Sequence, residues 1–117
     1  MNAGVLEHPT TGDLVAGFVI ARRGARKLTN LRARPNTTVV FRSGWDWVAV
    51  EGHADLAGPD DPLEGLDAAG IGSLLRAVYA AAAGGRPEDW AALDDTIAAE
   101  GHTAVLVRPH RVYSNPA

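Results

Sequence analysis

The sequence predicts a small α+β protein, mainly β, built on an antiparallel sheet or a small barrel. Short β-rich apolar runs are joined mostly by turn formers instead of long crossovers, which favours antiparallel pairing. Helical spacing is confined to three short segments. The whole chain has 117 residues, the size of a single domain spanning 1–117.

The elements follow in order. Residues 3–8, AGVLEH, and 14–20, LVAGFVI, are apolar runs separated by Pro9, Thr10, Thr11 and Gly12, which predicts a hairpin. After Gly24, Ala25, Leu28 and Leu31 share one face at helical spacing, and Pro35 closes this short helix. Residues 37–42, TTVVFR, and 45–56, WDWVAVEGHADL, read as strands joined by a two-residue turn at Ser43-Gly44. In the longer strand, Val48, Val50, Ala54 and Leu56 fall on one face; Trp45, Trp47, Ala49, Glu51 and His53 fall on the other. Asp67 caps a helix carrying Ile71, Leu74, Leu75 and Val78, which stops at Gly84-Gly85. Pro87 opens a third helix, with Glu88 and Asp89 complementing its dipole, a buried stripe of Trp90, Leu93 and Ile97, and a stop at Gly101. A last strand runs from about residue 102 to Arg108, before the tail PHRVYSNPA.

With 46% hydrophobic and 21% charged residues, the composition is that of a soluble globular protein. No apolar run is long enough to cross a bilayer and the first residues lack the pattern of an export signal, so a cytoplasmic chain without a membrane partner is expected. The absence of cysteine excludes disulfides, thiolate nucleophiles and iron–sulfur clusters.

The net charge of −3 hides a division. Residues 14–45 carry Arg22, Arg23, Arg26, Lys27, Arg32, Arg34 and Arg42 and no acid, whereas residues 46–100 carry twelve acids against Arg76 and Arg86. Lys27 is the only lysine. The cluster lies on and just before the short helix, where guanidinium forks, one ammonium and free helix N–H groups can neutralise a multiply charged anion. The plainer alternative is a solvated helix face, although solvated faces normally mix signs. Trp45 and Trp47 could wall a planar ligand or pack against a helix or second subunit.

Other chemistry finds little support. His8, His53, His102 and His110 lack metal-ligand spacing, so no metal is expected. Gly70-Ile71-Gly72 follows no strand and lacks the third glycine of a dinucleotide loop. Ser73 sits in no nucleophile elbow, and Glu51 with His53 reads as rim groups. The basic segment has no interleaved aromatics and the whole molecule is acidic, which argues against nucleic acid.

The ordered combination of ARKLTNLRARP, SGWDWVAVEGHADL and VLVRPHRVYSN resembles one family, from about Asn2 to Asn115. It is similar to the pyridoxamine 5'-phosphate oxidase-like flavin and deazaflavin oxidoreductases, in particular their actinobacterial branch that depends on coenzyme F420. The resemblance implies a split β-barrel of the FMN-binding-protein type. It implies a homodimer, with the cofactor in a groove at the subunit boundary. Cofactor phosphate would be held by Ala25, Arg26, Lys27 and Asn30, and Trp45 and Trp47 would border the deazaflavin. The implied activity is hydride transfer between reduced F420 and a small electron-poor organic acceptor, without an assigned catalytic side chain. FMN is the alternative cofactor, and a non-catalytic cofactor-binding or interaction module is the alternative role. Relatives begin with a helix and a strand ahead of the segment that starts here at Asn2, so a barrel lacking those elements is expected. The C-terminal motif that recognises pyridoxamine phosphate is not seen.

Overall fold

The computed structural model describes residues 3–83 and 90–115. Its elements are β1 (Ala3–Glu7), β2 (Leu14–Ile20), α1 (Arg26–Ala33), β3 (Asn36–Ser43), β4 (Asp46–Ala57), α2 (Ala68–Ala83), α3 (Trp90–Glu100) and β5 (Thr103–Ser114). The strands form one antiparallel sheet in the order β1-β2-β5-β4-β3, curled into a half-barrel. The last strand in sequence is therefore the middle strand in space.

Both faces of the sheet are covered, by different helices. On the inner, concave face Ala16, Phe18, Val39, Val50, Ala54, Val105 and Val107 form a buried cluster with Leu31 of α1. On the outer face Val15, Ala57, Ala104 and Leu106 pack with Leu74, Leu75 and Val78 of α2. The period of two explains the division: neighbours along β5 point to opposite faces, and each face meets a helix of matching apolar stripe.

Local chemistry sets the boundaries. Arg34 has the extended backbone that a following proline demands, and its N–H donates to the Asn30 carbonyl, ending α1. Asp67 caps α2 as expected, its Oδ1 accepting the Gly70 N–H at 2.7 Å. The expected stop at Gly84-Gly85 and the helix start at Pro87, with Glu88 and Asp89, lie outside the described residues.

Three expectations are corrected. The β3–β4 turn consists of Gly44 and Trp45, since Ser43 pairs with Asp46. Gly44 supplies the positive φ, 61°, that a turn of the II′ kind requires at its first central position. The last strand continues through the tail to Ser114, because a bulge accommodates Pro109: Gly52 pairs with Pro109 and Glu51 with Arg111, leaving His110 as the extra residue. Finally, α3 has no fully buried side chain. It is tied to α2 at the surface by Arg76, whose guanidinium forks onto Asp94 and lies 5.0 Å from the Trp90 ring centre.

Two glycines make opposite predictions. A Cβ on Gly52 would stand 1.9 Å from the Arg108 carbonyl oxygen at the bulge, so Gly52→Ala is expected to destabilise by about 1–3 kcal/mol. A Cβ on Gly72, inside α2, meets nothing within 4 Å, so Gly72→Ala is expected to stabilise by about 0.5–1 kcal/mol through helix propensity. Urea unfolding of the two variants checks both signs.

Candidate functional site

The cationic segment is organised by α1. Burying Leu28 and Leu31 against the sheet turns the rest of this eight-residue helix outward, so its cations must face solvent. They do so on two sides. Lys27, Asn30, Leu31 and Arg34, spaced by three, four and seven along the helix, line a hollow of about 630 Å³ together with Asn36 and Thr37. Arg22, Arg23, Ala25, Arg26 and Thr29 line a second hollow of about 570 Å³. Of the four phosphate-binding candidates, Lys27 and Asn30 thus come together, and Ala25 and Arg26 belong to the other side.

The first hollow has a uniform donor chemistry. Lys27, Asn30, Arg34, Asn36 and Thr37 all carry hydrogen-bond donors, and none of its lining residues is acidic. The Lys27 ammonium also lies 4.9 Å from the centre of the buried Phe18 ring, which fixes it near the mouth of the half-barrel. Ala25 at the N-cap provides no side-chain acceptor, and the first turn contains no acid. An anion with several oxygens suits this set. Arg34 belongs to the cationic cluster read from the sequence, seven positions after Lys27, whereas Asn36 and Thr37 join only through the turn at Pro35.

The tryptophans stand elsewhere. Trp45, at the turn, is 96% exposed. Trp47 pairs with Arg42 and packs edge-on against Tyr113, with ring centres 5.9 Å apart. Its N–H donates to Asn115 Oδ1 at 3.0 Å, and Arg111 lies over the Tyr113 ring. From Asn36, beside α1, to Arg42 is six strand steps, or about 20 Å. Within one chain the hairpin therefore does not wall the α1 hollow. Tyr113, Arg111 and Asn115 were missed because the tail was not read as strand.

Histidines serve two buried networks. His8 Nδ1 accepts the Thr10 N–H at 3.2 Å, so Nε2 carries the proton and donates to Asp55 at 3.0 Å. Asp55 also takes Arg108 Nε at 2.8 Å, and Arg108 donates to His53 Nδ1. Glu51 stands opposite Arg111 in the β4–β5 register, on the other side of the register shift from His53. On the outer side, His102 Nε2–H donates to Glu100 at 3.0 Å while Nδ1 accepts the Tyr79 hydroxyl at 2.5 Å. Among the described residues no group of three or more histidine or carboxylate side chains is arranged to hold a metal, and no helix is long and apolar enough to cross a membrane.

Neither a protein-family model nor a curated protein sequence matches the chain. In three dimensions it is similar to the crystal structure of the conserved hypothetical protein Rv2991 from Mycobacterium tuberculosis. The TM-score is 0.57 at 14% identity, over 97% of this chain and 76% of that one. That likeness shows the fold alone.

Burial pushes the Tyr79 phenol above the ordinary tyrosine value of 10.0, and the Glu100 carboxylate adds to the shift. A raised acid pKa contributes stability below the ordinary value that is lost as pH climbs through the raised one. Alkaline unfolding of the parent is expected to include this loss, and Tyr79→Phe is expected to flatten it. Absorbance titration of the phenols alongside pH-dependent urea unfolding checks this: Tyr79→Phe should remove the phenol that titrates above 10.0.

Proposed function

We propose that this chain binds a phosphate-bearing deazaflavin along α1 and acts as an F420-dependent oxidoreductase, moving hydride between reduced F420 and a small electron-poor organic acceptor. The observation that carries the reading is the acid-free hollow lined by Lys27, Asn30 and Arg34 beside the mouth of the half-barrel. Its donors fit a phosphate: Lys27 and Arg34 neutralise charge, and the Asn30 amide can fix orientation. The deazaflavin, when bound, supplies the redox chemistry, so no side-chain nucleophile is required of the protein. The second hollow, with Arg22 and Arg26, offers further cations for the polyanionic glutamate tail of F420 and favours it over FMN.

The reading includes a homodimer. The aromatic hairpin and the α1 hollow are about 20 Å apart along β3, so one copy's Trp45 and Trp47 would meet the other copy's hollow. Exposed Val40, Val48 and Val112 at the same end of the sheet supply apolar surface for such a contact.

Isothermal titration tests it. Lys27→Ala is expected to weaken F420 binding by roughly one to two decades, the worth of one charge-assisted contact of about 1.5–3 kcal/mol, with fold stability unchanged. Arg26→Ala should lower affinity for F420 and spare FMN. Unchanged F420 affinity in Lys27→Ala would remove the assignment. Deazaflavin absorbance during incubation with candidate acceptors separates the oxidoreductase, which bleaches or restores it, from a module that only holds the cofactor.

A further inference from the structure

On the outer face of the sheet, a cleft of about 530 Å³ opens between α2, α3 and the 58–68 segment. Leu66, Ile71 and Leu75 line it from the α2 side and Ile97 from α3. Its volume is that of a small-molecule site. One buried polar side chain, His102, reaches the wall, and both of its nitrogens are already bonded, to Tyr79 and Glu100. Among the described residues no buried side-chain polar atom lacks a partner. No buried side chain in the wall is therefore left to recognise a polar head group.

The rim adds a sign. Asp60 and Asp67 border the opening; Asp60 is held by Arg23 at 3.1 Å and Asp67 caps α2. A carboxylate or phosphate entering here would leave water for an apolar wall, and the cation at the rim, Arg23, is already paired with Asp60. A further observation comes from Gly72, which lines the cleft from within α2 and whose missing Cβ would touch nothing. Glycine weakens a helix interior, and packing does not demand it here. It leaves open space where the cleft meets a neighbouring hollow lined by Arg76 and Asp94, and a long side chain there would fill part of that space.

We infer that this cleft is a binding site for a small, uncharged, apolar molecule, aromatic or aliphatic. The sheet separates it from α1: Leu75 belongs to the outer cluster and Leu31 to the inner one. The site is thus distinct from the Lys27 hollow and stands or falls without it, while Arg23 of the second hollow reaches its rim through Asp60.

Naphthalene and 1-naphthoate are suitable probes, with the methyl resonances of Ile71, Leu75 and Ile97 followed by NMR in the full chain. Naphthalene is expected to shift these resonances saturably, and naphthoate to bind at least roughly tenfold more weakly. Gly72→Leu should fold at least as stably as the parent and lose most of the naphthalene affinity. Ala98→Leu, an exposed position on the opposite wall, should weaken binding in the same way and serves if Gly72→Leu does not fold. Absence of a saturable shift in the parent overturns the inference, as does equal binding of naphthoate or unchanged affinity in both variants. F420 titration of Gly72→Leu should match the parent, so a failure at α1 and a failure here remain distinguishable.

Discussion

The half-barrel depends on the stretch Thr103–Val107 of β5, which pairs with β2 on one side and β4 on the other while both of its faces are buried. Ala104 and Leu106 face α2, and Val105 and Val107 face the concave interior that α1 closes. A strand in that position has no solvent-exposed row, so its residues must be apolar in succession instead of alternating. Removing it would leave two separate hairpins, β1–β2 and β3–β4, neither of which has a core of its own.

The position of α1 follows from that strand. Two leucines suffice to seat a helix of eight residues over the interior, but they occupy its inward side, and every charged residue of α1 is thereby directed outward. Concentrated positive charge along a short helix is unfavourable in isolation and becomes favourable when an anion neutralises it. Part of that charge is met within the chain: Asp61 holds Arg32 of α1 and Asp60 holds Arg23 just before it. Lys27 and Arg34 line a hollow none of whose lining residues is acidic.

The two faces of the sheet consequently carry opposite chemistry. The inner side presents a cationic, donor-rich hollow at α1, and the outer side an apolar cleft rimmed by acids. Gly52 and the bulge at His110 set the register of the sheet's middle strand. By shifting the register between Glu51 and Gly52, they keep the apolar alternation of β4 in phase with the far half of β5, where Val112 stands beside Val50 and Tyr113 beside Ala49.

The sequence by itself determined the elements and much of their order. Alternation gave the faces of β4, the spacing of Leu28 and Leu31 gave α1, and Pro35 and Asp67 marked helix ends, because these signals are local and act within a few residues. The charge division was equally legible, and with it the candidates Lys27 and Asn30. Tertiary structure decided what local signals do not contain. Only the pairing with β4 carries β5 past Pro109 to Ser114, since a lone PHRVYS has no clear strand pattern and the bulge exists only against a partner. Only the extended β3–β4 hairpin leaves Trp45 and Trp47 at the far end of β3 from α1. The outer cleft also needed three dimensions: Gly72 was read as part of a failed dinucleotide pattern, and the space beside it is defined by α2, α3 and a loop distant from one another in sequence.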